Sequence, residues 1–425
     1  MTETTTTHEP SLEYALELDR NDLLAEYRNE YYIPKGKDGN DLIYFTGNSL
    51  GLQPKSTFRM VEQELKDWQT YAVEGHFDAT YPWFSYHEMF AEPESRIVGG
   101  TPEEVVVMNT LTTNLHLMMV SFYRPTKDRF KIVIEENAFP SDRYAVASQA
   151  RFHGYDPAEA VVELKPREGE NTLRTEDIEE YLEREGEDVA LVMMGGVNYY
   201  TGQAFEMEKI AAAGHAKGCV VGFDLAHGAG NLLLNLHDWN VDFAVWCTYK
   251  YLNSGPGGVS GCFVHERHAF NPDLPRFAGW WGNDPATRFE MPREFVPQRG
   301  AAGWQLSNAQ ILPMAAHWAA LQLFDRVGMG NLRAKSEKLT GYLEYLLNER
   351  EGFQILTPAD STQRGCQLSI RIGDDAKSMV GKLMERGIVA DYRVPDVIRV
   401  APVPMYNSFE DVWRFVEELG VMSAG

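Results

Sequence analysis

Residues 241–258, VDFAVWCTYKYLNSGPGG, put an apolar, aromatic run directly before a lysine and a loop of Asn, Ser, Pro and Gly. The run has the length and composition of a buried strand, yet lysine is rarely buried unless paired. Lys250 is either an ordinary strand-end residue reaching water or a nucleophile. What the neighbouring segments bring to the same place decides between the two.

Similar short runs recur between about residues 100 and 265: 104–108 (EVVVM), 131–135 (KIVIE), 190–195 (ALVMMG), 219–224 (CVVGFD), 242–248 (DFAVWCT) and 261–266 (GCFVHE). Amphipathic helical segments alternate with them. Continuous β-branched runs separated by helices predict an α/β fold with a mostly parallel sheet covered on both faces. Upstream, SLEYALELDRNDLLAEYRNEYYIP keeps helical spacing up to Pro34. Past Gly303 the chain is strongly helical, then carries two short strands (CQLSIRI and VIRVA) and the helices AKSMVGKLMERG and SFEDVWRFVEEL. The expected organisation is a disordered tail (1–10), a helical arm joining the small domain (11–60), a large α/β domain (61–310) and a small α+β domain (311–425).

Composition narrows the function. The chain has 425 residues, 44% hydrophobic and 24% charged, which is ordinary for a globular protein and long enough for two domains. A formal charge of -23 speaks against a nucleic-acid partner, which needs a basic face. The N-terminus MTETTTTHEP has no basic and no apolar region of a signal peptide. No apolar run approaches the ~20 residues needed to span a bilayer. Four cysteines (Cys219, Cys247, Cys262, Cys366) show neither CxxC pairing nor metal spacing, so buried free thiols and no metal are expected. The expected location is cytoplasmic.

Four strand ends carry candidate chemistry. CVVGFD ends in Asp224, and ligands of open α/β sheets sit at the carboxyl ends of strands. Lys250 follows one strand later. A carboxylate and an amine on one rim form either a loop salt bridge or the two ends of a pyridoxal phosphate site: the lysine bonds the aldehyde and the aspartate holds the pyridinium N–H. NTLTTNLHLMM after EVVVM opens a helix that Asn109 or Thr110 can cap, leaving the N–H groups of Leu111 and Thr112 for an anion. AFPSDRYA follows KIVIE. There Phe139 can stack on a planar ring and Asp142 can reach a ring nitrogen, or the segment is a turn with Phe139 extended before Pro140. Neither a GxxxxGK[ST] loop nor a GxGxxG after a strand occurs, which argues against nucleotide cofactors. Jointly the four pieces describe a site for a phosphorylated aromatic aldehyde.

At these residues the chain resembles the kynureninases, fold-type I pyridoxal phosphate enzymes of tryptophan catabolism and NAD biosynthesis. The resemblance runs from YFTGNSLGLQPKS (44–56) through MNTLTTNLHLMM, FPSDRYA, YYTGQ, VGFDLAHGAGNLLLNLHDW, CTYKYLNSGPGG, AGWWGN and QLSNAQIL to GCQLSI and IRVAPVPMYNSF. It implies a large domain with a sheet between helices, a small C-terminal α+β domain, and a homodimer with shared active sites. Lys250 would be the lysine bonded to the cofactor and Asp224 the partner of the ring nitrogen. Asp142 would lie near the same nitrogen, and Phe139 against the ring with Pro140 and Ser141 beside it. Leu111 and Thr112 would contact the phosphate, and His227 would belong to the pocket. Tyr249 would bond the phosphate and give a proton to the leaving carbon. Trp280 and Asn308 would reach the partner's site, and Arg399 would clamp the substrate α-carboxylate.

The implied reaction is hydrolysis of the Cβ–Cγ bond of kynurenine to anthranilate and alanine. By resemblance, His76 and Trp83 contact the substrate ring. With Ser307 and Asn308, His76 could bond a phenolic hydroxyl and so favour 3-hydroxykynurenine. The chain departs from the pattern at Gly195, where relatives carry a serine near the cofactor; a small effect is expected. An aminotransferase or a cysteine desulfurase is the nearest rival, and a non-catalytic cofactor-binding protein the more distant one. The desulfurase ranks low because Cys366 leads into a predicted strand.

Overall fold

The computed structural model describes residues 8–373 and 375–423. Its central sheet has seven strands in the order Val105–Met108, Ser260–Val264, Phe243–Cys247, Val220–Asp224, Val189–Gly195, Lys131–Glu135 and Val161–Leu164. The Ser260–Val264 strand is antiparallel to both of its neighbours; the other pairings are parallel. Six strands therefore end at one rim.

Successive residues of a strand point to opposite faces. Val105, Val107, Val133, Phe223 and Trp246 join one apolar cluster, while Val106, Met108, Ile132, Ile134 and Val245 join another on the opposite face. Helices cover both faces, which is why these runs are apolar at every position. Each such side chain contributes about 1.5–3 kcal/mol by leaving water. Trp246 is fully buried and donates its indole N–H to Glu94 at 3.1 Å. Truncating it to alanine would cost about 3–5 kcal/mol, lost transfer energy and cavity together. The ring packs against Gly261, where a Cβ would come within 2.0 Å of it. That contact accounts for a glycine inside the antiparallel strand.

The expected strands are present with ends shifted by one or two residues, and 131–135 coincides with Lys131–Glu135. Val161–Leu164, at the sheet edge, was not expected. Its run is short and only Leu164 is buried. The N-terminal helix is shorter than its periodicity suggests: it ends at Arg20, and a 3-10 turn covers Ala25–Glu30. The break is local chemistry. The Asp22 carboxylate accepts the Leu24 N–H at 2.9 Å, giving the backbone an alternative to the next helical turn.

In the small domain the strands Asp391–Arg393, Val397–Val400, Leu368–Arg371 and Gln354–Ile355 form an antiparallel sheet in that order. Its apolar cluster includes Leu339, Leu343, Ile370, Ile398 and Phe415, and also Ala15 and Phe45 from the N-terminal arm. The arm strand Ile43–Tyr44 pairs in parallel with Ile388–Val389. The helix Ile311–Val327, assigned by sequence to the small domain, instead shares Met314, Leu321 and Phe324 with the large sheet's cluster. Of the expected tail, residues 1–7 lie outside the described residues. His8 packs on Tyr342, and Glu9 accepts that tyrosine's hydroxyl.

Candidate active site

The parallel strands deliver their last residues to one cleft of about 560 Å3 of empty space. Glu135, Gly195, Asp224 and Cys247 end four of them, and the turns and helix starts beyond supply Leu111, Thr112, Phe139, Ser141, Asp142, Val197, Tyr199, His227, Tyr249 and Lys250. Nine of the sequence-predicted residues thus line one cavity: Leu111, Thr112, Phe139, Ser141, Asp142, Asp224, His227, Tyr249 and Lys250. Pro140 is the first residue of the helix that carries two of them.

Two helix starts face each other across one side. Asn109 takes a left-handed conformation, with φ at 50°, and turns the chain from the Val105–Met108 strand into the Leu111–Phe122 helix. Thr110 holds the N-cap position without a side-chain cap; its hydroxyl bonds Thr113 instead. The first N–H groups of the helix are left for a ligand, as expected of an anion site. Thr112 meets Ser141, at the start of the Pro140–Phe152 helix, hydroxyl to hydroxyl at 2.8 Å.

On the other side, Asp142 and Asp224 interact in a buried setting. Asp224 accepts the Ala226 N–H at 2.7 Å. Burial pushes both carboxyls upward, and the Asp224 carboxylate pushes Asp142 further; Ala226 and the Lys250 ammonium pull Asp224 back. Asp142 Oδ1 is buried with no hydrogen-bond partner, and so is His227 Nδ1. Burial holds His227 neutral, and the charge of Lys250 lowers it further. Lys250 Nζ lies 5.7 Å from the centre of the Phe139 ring, and Phe139 meets Tyr199 edge-on. The cleft therefore offers an anion cradle, an aromatic wall, an amine and an acid pair with an unfilled acceptor. These are the complements of the phosphate, ring, aldehyde and ring N–H of pyridoxal phosphate, and the residues fit it.

The remaining predicted residues lie elsewhere. His76 and Trp83 meet edge to face at 5.5 Å, and Trp83 donates to Glu64 at 2.8 Å. Trp280 is 43% exposed and packs on Phe289, while the neighbouring Trp281 is buried. Ser307 and Asn308 are exposed. Arg399 is buried in the small-domain sheet and bonds Asp391 and the Tyr199 carbonyl, so it stands behind the cleft wall.

Glu135, Tyr199 and Cys247 were not singled out from sequence. Glu135 ends its strand as Asp224 ends another, and that parallel was the available signal. All four cysteines are free and buried. The Cys366 thiol is pushed up to about 12 by burial, unsuited to the nucleophile of a desulfurase. A further, partly buried cluster, Glu104 with His237 and His265, lies at the start of the Val105–Met108 strand and is closed by hydrogen bonds from Thr101 and Glu266.

Comparison with known proteins follows the same line. The family model for the kynureninase C-terminal domain matches residues 332–419. The chain is 60% identical over 413 residues to the kynureninase of Myxococcus xanthus, covering 97% of each. It is 56% identical over 406 residues to that of Koribacter versatilis, covering 95% of this chain and 96% of the other. Among solved structures it is similar to a C-DES mutant with glycine covalently linked to its PLP cofactor, with a TM-score of 0.75 and 17% identity over 89% of this chain and 96% of that one. The cysteine desulfurase CsdA of Escherichia coli gives 0.74 and 18%, covering 94% and 98%. At these identities the structural likeness speaks for the fold alone.

Proposed function

Because the chain belongs to the kynureninase family, we propose that it takes L-kynurenine or its 3-hydroxy derivative and releases (3-hydroxy)anthranilate and L-alanine through the residues of the Lys250 cleft. It is a pyridoxal phosphate-dependent hydrolase acting on a carbon–carbon bond. The observation that carries the assignment of its residues is the convergence of Lys250, the Asp142–Asp224 pair and an uncapped helix start on one cavity.

The chemistry the bound cofactor supplies is an electron sink for the pair left behind when substrate bonds break. Leu111, Thr112 and Ser141 hold its phosphate by N–H and hydroxyl groups. Asp224, with Asp142, keeps a proton at the ring nitrogen, and Phe139 forms one wall of the ring slot. Lys250 moves the substrate α-proton at its Nζ. Burial pushes the Tyr249 phenol upward, and neighbouring Cys247 adds to this, so the hydroxyl keeps its proton and serves as the donor to the leaving β-carbon. His227, neutral and buried, closes the floor against water.

The partner face belongs to the same reading. Exposed Phe77, Phe289 and Trp280 form one aromatic platform, and Trp68, Trp83 and Leu312 line an apolar hollow joined to it through His76. Such exposed apolar area marks an association surface. A homodimer covering it would bring Trp280 and Asn308 of one subunit towards the other's cleft, and His76, Trp83 and Ser307 towards the substrate ring. Among the described residues no helix is long and apolar enough to cross a membrane. Four free thiols accord with a cytoplasmic location.

Steady-state assays with kynurenine and 3-hydroxykynurenine, without added keto acid, test reaction and ring preference together. Release of the anthranilate from either supports the reading, and release from neither overturns it. Lys250→Ala must abolish both turnover and borohydride-fixed attachment of the cofactor.

A further inference from the structure

Arg399 is the deepest cation of the small domain, with a side chain 1% exposed. The antiparallel register sets Asp391 directly across from it. Asp391 Oδ2 accepts from Arg399 Nε at 3.1 Å and also from its Nη2. This is the side-on fork of the guanidinium. On its other flank Arg399 Nη1 donates to the Tyr199 carbonyl at 2.6 Å, a carbonyl that also takes the Gln367 amide at 3.1 Å.

A guanidinium has five N–H groups in a fixed plane. Three are engaged, so Nη1 and Nη2 each keep one. With the Tyr199 carbonyl on the flank of Nη1, the remaining two would form a parallel pair suited to a carboxylate gripped at both oxygens. Charge points the same way. Arg393 Nη2 reaches the same Asp391 oxygen at 2.9 Å, so two guanidiniums share one carboxylate and the cluster keeps a surplus positive charge. Place agrees as well: the Tyr199 ring lines the cleft and meets Phe139 edge-on, so the carbonyl tether keeps Arg399 beside the cleft wall. The charges of Arg399 and Arg393 both act on His227, which also lines the cleft.

We propose that Asp391 is the positioning residue that aims Arg399, taking its side-on fork and leaving the end-on edge for the substrate's α-carboxylate. The inference rests on the kynureninase reading, in which Arg399 receives that carboxylate. Asp391 touches neither substrate nor cofactor. It removes the torsional freedom of a long side chain before binding, so binding need not supply that ordering. Its loss acts on ligands that carry a carboxylate and spares those that do not.

The test compares wild-type holoenzyme with Asp391→Asn and Asp391→Ala, using kynurenine as substrate and kynurenine amide, which lacks the carboxylate charge, as competing ligand. Loss of a charge-assisted hydrogen bond predicts KM for kynurenine raised roughly 10- to 100-fold with kcat little changed. The inhibition constant of the amide stays at the wild-type value. An unchanged KM overturns the proposal. So does a fall in KM, which would make Asp391 a competitor of the substrate carboxylate. Equal weakening of both ligands, or loss of cofactor from both variants, would reduce the residue to a structural one. Wild-type enzyme that fails to cleave kynurenine would instead overturn the underlying functional reading, and this inference with it.

Discussion

The backbone amide of Gly195 donates to the Glu135 carboxylate at 3.1 Å, and a Cβ at position 195 would stand 2.9 Å from the nearer carboxylate oxygen. The glycine and the buried acid are thus fitted to each other at the rim of the cleft. Gly195→Ser must displace the buried Glu135 carboxylate. Overpacking of this kind costs roughly 1–3 kcal/mol. The variant is expected to melt earlier than wild type and to release pyridoxal phosphate faster on dialysis; equal melting and equal retention would show that Glu135 yields freely.

Burial pushes Glu135 up to about 7 from an ordinary 4.5, despite the Gly195 N–H that opposes the shift. The folded chain therefore keeps a proton that the unfolded chain releases. Its stabilising contribution is complete below about 4.5 and is lost as pH rises through about 7, at most about 3 kcal/mol. Glu135→Gln has no proton to lose. The melting temperature of the cofactor-free variant should gain on wild type steadily from pH 5 to pH 8. A constant difference across that range would place the ionisation elsewhere.

Tyr249→Phe removes the proposed donor and leaves the aromatic wall in place. General acid catalysis is worth roughly 10²–10⁴-fold, so kcat should fall by that much while cofactor content stays near one per chain. Retained turnover would move the donor role to another group.

Phe289 is 53% exposed and bridges Phe77 and Trp280. Phe289→Asp puts a charge in the centre of that platform. Gel filtration should show a shift towards monomer, with kynurenine cleavage lost before cofactor binding is. A dimer that survives with full activity would put the subunit contact on another face.

Much of the cleft was legible because its chemistry sits where strands stop. An apolar run that ends in Asp224, or leads into Lys250, announces both the strand and its functional end in a single stretch. Glu135 obeys the same rule at the end of KIVIE, but the AFPSDRYA segment just beyond it drew the reading to Phe139 and Asp142 instead. Asp391 was out of reach for a different reason. Its role depends on the register that sets it opposite Arg399, and hydrophobic alternation alone does not reveal which residues face each other across strands. The antiparallel strand Ser260–Val264 was similarly hidden, since an apolar run carries no arrow. The packing of the Ile311–Val327 helix on the large sheet's cluster was not legible, because its periodicity reports a buried face and not what buries it.

The arm strand Ile43–Tyr44 finds its partner at Ile388–Val389, close to the far end of the chain. Seven residues past that strand, the Gly51 amide donates to the Tyr249 carbonyl at 2.8 Å, directly beside Lys250. The loop of Lys250 is therefore braced by an arm that is itself anchored in the small domain. The small domain and the seat of the lysine thus share one support, so that loosening the arm's pairing at Ile388–Val389 would loosen the loop beside Lys250.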